Sequence, residues 1–165
     1  MTEGFKKHLP VIVVVSFAGI TTSAFALMQI ANAASSMNVD SFSTYVIVVP
    51  CIAMVACSIL ITITASEIGR QLYLTVVGVC FVCGIVSMVV TSGWFSDPSI
   101  SAQLLSNSPE GTSITPPLQN PLIVLRNLAA YIVAPTIGCI AGAWLGSRLH
   151  PVKSSKVNNQ KGRRK

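Results

Sequence analysis

The side chains best suited to covalent chemistry in this chain are five cysteines, Cys51, Cys57, Cys80, Cys83 and Cys139, two of which form a Cys80-Phe-Val-Cys83 pair. That spacing suits a dithiol cycling to a disulfide, a reaction that needs thiolate and therefore a setting that lowers the thiol pKa. Every cysteine here sits in an apolar run, which has the opposite effect, so the pair is expected to pack as two small residues. The ionisable residues offer little more. Arg126 stands near the start of an apolar run, Glu67 and Arg70 flank a short polar break and compensate each other there, and His8 and His150 are each alone beside an apolar segment. No carboxylate lies deep in an apolar run, where proton- or ion-coupled transport usually places one. No metal-ligand cluster, nucleophile–base arrangement, phosphate loop or nucleic-acid motif is legible. The expectation is a protein that is not an enzyme, with no catalytic, cofactor or metal site.

The elements around these residues are four long apolar segments, at about 9–30, 45–65, 72–91 and 122–145. A hydrocarbon core about 30 Å thick takes about 20 helical residues at 1.5 Å each, and all four segments reach that length. Of the 165 residues 52% are hydrophobic and only 10% charged, well below the roughly 25% of a soluble domain. The fold class is therefore an all-α integral membrane protein, a four-transmembrane-helix bundle over residues 1–150. The first segment is preceded by Lys6-Lys7 and followed by Ala31-Asn32-Ala33, as in a signal peptide, but its roughly 22 apolar residues exceed an h-region of 7–15 and favour a retained span.

Charge sets the expected orientation. Lys6 and Lys7 precede the first span, Arg70 lies between the second and third, and Arg148 with six residues of the tail 151–165 follows the fourth. Loops 31–44 and 92–121 contain no Lys or Arg. By the positive-inside rule both termini are cytoplasmic and those two loops are outside. Tyr45 and Trp94 then fall at outer boundaries, Tyr73 and Trp144 near inner ones, as amphipathic rings prefer. The basic tail is expected to be disordered and to meet anionic lipid rather than nucleic acid. Loops without cysteine and a chain without an Asn-x-Ser/Thr sequon fit a bacterial cytoplasmic membrane.

Two local likenesses follow. With its Cys80–Cys83 pair, length and helix count, the chain resembles the four-helix membrane thiol oxidoreductases, namely the quinone-linked disulfide-forming family and the vitamin K epoxide reductase family. Those proteins hold the dithiol near the outer surface and carry further cysteines in an outer loop. Here the pair lies about 12 Å along its helix from Leu72 and the loops lack cysteine, so the activity is not carried over. Pro135 followed by Gly138 is similar to the last helix of aquaporins. The single Asn120-Pro121-Leu122 is not their paired Asn-Pro-Ala signature, and that function is not carried over either.

The strongest pattern is a row of small residues in the fourth span, Ala130, Ala134, Gly138, Gly142 and Gly146, with Cys139, Ala143 and Ser147 beside it. Membrane helices associate by close backbone approach, which such rows permit. Weaker rows are Ala18, Thr22 and Ala26; Ser58, Thr62 and Ser66; and Cys83, Ser87 and Thr91. A tight turn with Gly69 as helix cap makes the second and third spans an antiparallel hairpin, and Pro135 is expected to kink the fourth.

Loop 92–121 is long; loops beyond about 12–15 residues are often functional or disordered, and a flexible connector is the alternative expectation here. Asp97-Pro98 reads as an N-cap with proline at the first helical position, opening a short helix on the outer leaflet. Ile100, Leu104 and Leu105 would form its apolar face and contact a partner; Arg126 is expected to snorkel to the outer interface, with an anion-binding or partner-contact role as the alternative. The expected function is an accessory, assembly or regulatory subunit of a larger membrane complex. The alternative is an oligomeric channel or small-solute transporter subunit packed through the small face of the fourth span. A membrane enzyme acting on thiols or lipids is a third reading, disfavoured by the missing polar site. Expected partners are the lipid bilayer and a membrane protein or further copies of the chain.

Overall fold

The computed structural model describes residues 3–64 and 70–149. Ser66, Glu67, Gly69 and the tail 151–165, which entered the reading of the inner turn and the lipid anchor, lie outside the described residues. The described chain forms five α-helices: α1 (Glu3–Asn32), α2 (Val39–Thr64), α3 (Arg70–Ser96), α4 (Pro98–Ser106) and α5 (Pro121–Leu149). Short 3-10 turns occupy Ala34–Ser36 and Pro117–Gln119. No strand occurs among the described residues. The helices at Leu9–Asn32, Val39–Thr64, Arg70–Ser96 and Pro121–Leu149 are long and apolar enough to cross a bilayer, so the protein is an all-α bundle of four membrane helices.

The helices outrun their apolar cores. α2 starts at Val39 rather than near 45, because Asn38 Oδ1 accepts from the Ser41 amide at 2.8 Å and supplies an N-cap before the apolar run begins. α3 continues to Ser96 rather than 91 and stops at Asp97, whose extended backbone (ψ 121°) is what a residue before proline adopts. Asn120-Pro121 repeats the device at the start of α5, with the Leu122 amide donating to Asn120 Oδ1 at 3.0 Å. Loops 31–44 and 92–121 are therefore partly helical.

Contacts between helices run around the bundle in the order α1, α2, α5, α3. The order differs from a plain hairpin pairing of α2 with α3. α2 makes its widest contact with α5, and α3 likewise packs more on α5 than on α2. Register gives the directions. Gly138, Gly142 and Gly146 face Val55, Ile59 and Ile63 in turn, so α5 runs parallel to α2. Gly84 faces Tyr131 while Tyr73 meets Thr136, so α3 runs antiparallel to α5. The physical reason for the close α2–α5 approach is that Gly138 and Gly142 leave no side chain between the two backbones.

Two separate cores result. One fills the bundle, with Met54, Ile61, Val76, Met88 and Tyr131 buried together. The other caps the end of the bundle away from the termini and joins Ala34, Phe42, Val46, Phe95 and Leu104.

Candidate functional site

The cap is built from the long loop. α4 is anchored at its start by Asp97, whose Oδ1 accepts from the Ser99 hydroxyl at 2.6 Å and the Ser99 amide at 2.8 Å. These bonds, the hydroxyl's foremost, hold the exposed Asp97 carboxyl below its ordinary range. α4 then lays Leu104, at 0% exposure, over a T-shaped Phe42–Phe95 pair with ring centroids 5.3 Å apart. Polar bonds stitch the two loops together. Asn107 Nδ2 donates to the Ser35 carbonyl at 2.7 Å, and Ser108 Oγ accepts from the Val39 amide at 3.0 Å while donating to the Leu104 carbonyl at 2.7 Å. A turn at Pro109–Thr112 closes with the Thr112 amide on the Pro109 carbonyl, and Gly111 takes the positive φ of 85° that its third position requires. Further on, Leu118 donates its amide to Ser92 Oγ at 3.2 Å, tying the loop to α3.

The apolar face of α4 therefore points at the bundle end. Leu104 is spent inside the cap, which corrects its reading as a partner anchor: a side chain with no exposed surface has nothing to offer another molecule. Ile100 is half-buried against the same core, and Leu105 stays 42% exposed. Arg126 is exposed on α5.

The small row of α5 meets the small row of α2. A Cβ added at Gly138 would stand 2.6 Å from Ser58 Cβ and 2.7 Å from the Val55 carbonyl oxygen, and one at Gly142 would overlap Thr62 Oγ1. Ala134 is buried, Ala130 half-buried, and Gly146 looser, with Ile63 at 3.6 Å. Ser58 and Thr62 return their hydroxyls to their own helix, donating to the Met54 carbonyl at 2.7 Å and the Ser58 carbonyl at 2.6 Å. These hydroxyls are thus consumed rather than presented to a solute. In the second row Cys139 is buried, but Ala143 and Ser147 are exposed; in α1 Ala18 and Thr22 are exposed and Ala26 is half-buried.

The aromatic residues divide. Tyr45 and Trp144 are exposed, and Arg148 stacks 5.1 Å from the Trp144 ring centroid. Tyr73 turns inward. Because Thr136 gives its proton to the Ile132 carbonyl, the 3.1 Å contact is donated by the Tyr73 hydroxyl. Trp94 packs half-buried against the cap.

Cys57, Cys80 and Cys83 converge on one groove between α1, α2 and α3. All five thiols are free, and Cys80 lies 4.0 Å from Ser58 Oγ in the bundle core. Among the described residues no three His, Cys, Asp or Glu side chains are gathered as metal ligands. Two features escaped the sequence reading. Gly84 admits the Tyr131 ring, and Asn127, at 2% exposure, buries an Oδ1 with no partner. The asparagine was a visible signal, a polar residue within an apolar span. No protein-family model, curated protein or solved structure matches the chain.

Proposed function

We propose that this chain is an accessory, assembly or regulatory subunit of a larger membrane complex, contacting its partner through the cap and the adjoining start of α5. The observation that carries the reading is the fixed loop: Leu104 at 0% exposure pins α4, so exposed Leu105 is held on a preorganised surface that loses little freedom on docking. Leu122 and Leu125, 77% and 66% exposed, flank the exposed Arg126 on α5, an arrangement suited to a partner helix with an acidic group near the same membrane boundary. The charge asymmetry of the sequence favours a cap facing outward from a bacterial cytoplasmic membrane, termini inside, with the basic tail at anionic lipid. The rival reading, a channel assembled through the small face of α5, is weakened because Gly138 and Gly142 are already covered by α2 of the same chain.

The test is purification in mild detergent with identification of stoichiometric companions. Leu105→Glu and Arg126→Glu should each lower recovery of the partner at least tenfold while leaving insertion and helicity intact. Retention of the partner by both variants would remove the cap from the interface. A homo-oligomer with solute flux and no companion would put the channel reading first.

A further inference from the structure

α1 is the least enclosed of the four membrane helices. In its most apolar stretch only 11% of the residues are buried, against 28–33% in the other three. Its core side turns Ile12, Gly19 and Leu27 to the bundle, with Gly19 against Cys57 of α2. Its outer side is not the plain apolar surface that lipid favours. Ala18, Thr22, Phe25, Gln29 and Asn32 are all exposed there, spaced by four, three, four and three residues. A period of 3.5 residues draws one straight stripe, suited to a left-handed helix pair. The other three spans expose only apolar residues and glycine through their middles, from Val48 to Leu60, from Leu74 to Val90 and from Ala129 to Ala143. Thr22 stands near the middle of the span Leu9–Asn32. Every other threonine in the described helices donates its hydroxyl to a carbonyl of its own helix, and Thr22 alone forms no hydrogen bond. Lipid tails cannot satisfy it.

We propose that this stripe is the contact between two copies of the chain, paired in parallel through α1 about a two-fold axis along the membrane normal. Two copies inserted alike hold their α1 helices parallel and at one depth, so near the axis each stripe residue meets its own counterpart. Thr, Gln and Asn side chains each both donate and accept, so each can bond to an identical group. Ala18 is small enough to let the backbones approach beside the Thr22 hydroxyls, which donate across the interface to the other helix. Gln29 and Asn32 pair at the membrane boundary on the cap side. No charged residue lies between Leu9 and Asn32, so nothing in the stripe repels its copy. A pair built on the exposed face of α5 would instead set Arg126 against Arg126. The contact does not depend on the accessory-subunit reading, because α1 packs chiefly on α2, across the bundle from α5.

The test is sedimentation equilibrium of the full-length protein in density-matched detergent micelles, where a monomer–dimer equilibrium should appear. Thr22→Val keeps the shape and removes the hydroxyl. It should raise the dimer dissociation constant about sevenfold, as loss of two interhelical hydrogen bonds of average strength does. Thr21→Val should leave the constant nearly unchanged, because that hydroxyl is already bonded to the Phe17 carbonyl at 2.9 Å. Leu105→Glu and Arg126→Glu, which address the cap and α5, should also leave it nearly unchanged. In native membranes, single cysteines in a background without the native five should form covalent dimers on oxidation with copper phenanthroline. Ala18→Cys, Thr22→Cys, Phe25→Cys and Gln29→Cys should do so, and Phe17→Cys and Ala24→Cys, exposed on the flank of α1, should not. A protein that stays monomeric at every protein-to-detergent ratio would overturn the proposal. So would a dimer unmoved by Thr22→Val, or stripe cysteines that capture another protein and never a second copy.

Discussion

Gly142 of α5 lies directly against Thr62 of α2, so close that a Cβ on the glycine would occupy the place of the threonine Oγ1. The two residues belong to separate small-residue rows that the fold brings into one parallel seam. Hydrophobic attraction contributes little to helix association in lipid, so the stability of this seam rests on backbone proximity and on the hydroxyl bonds that Ser58 and Thr62 keep within α2.

Gly142→Leu should therefore force α5 off α2, at a cost of roughly 1–3 kcal/mol as overpacking does. Gly146→Ala should be nearly neutral, because its nearest neighbour would be 3.6 Å away. Thermal unfolding of the purified variants in detergent checks both. Equal midpoints for Gly142→Leu and wild type would show that the seam does not hold the bundle.

In the cap, neighbouring leucines should respond oppositely. Leu104→Ala empties a fully buried position over the Phe42–Phe95 pair and should cost about 2–5 kcal/mol of local stability. Leu105→Ala, at a 42% exposed position, should cost little. Limited proteolysis within residues 107–116 reads the difference, and similar cleavage rates for the two variants would contradict the docking of α4.

Acid should loosen the start of α4. The Ser99 hydroxyl and amide hold the Asp97 pKa below its ordinary 3.8, so the cap's contribution is present above that value and is lost as pH falls through the lower folded value. Amide exchange at Ser99 and Ile100, corrected for the intrinsic pH dependence, should rise in acid toward the level Asp97→Ala shows at every pH. An Asp97→Ala protein as protected as wild type at pH 6 would rule out this cap.

Orientation follows from charge and is read by labelling single cysteines, in a background without the native five, with an impermeant reagent on intact cells. Ser36→Cys and Ser113→Cys, both exposed at the cap end, should react, and Ser154→Cys should not. The reverse pattern would place the termini outside.

By itself the sequence determined the class. Four apolar runs of membrane-crossing length form helices in lipid, since every backbone amide must be satisfied inside the protein and four segments are too few to close a β-barrel. It also determined the start of α4, because Asp97-Pro98 carries its own capping chemistry, and it marked the α5 row as a surface for close approach. What that surface meets was decided by tertiary structure. A row of small residues fits any other small row, and three others were available on α1, α2 and α3; the register of Gly138 on Ser58 and Gly142 on Thr62 selected α2. The same holds for α4. Its apolar face was legible, but lipid, a partner and the chain's own end are equally apolar, and only the position of Phe42 and Phe95 turned Leu104 inward. The groove had no local signature at all, for Ser87, Cys57 and Trp94 come together only once α1 and α3 stand apart over α2.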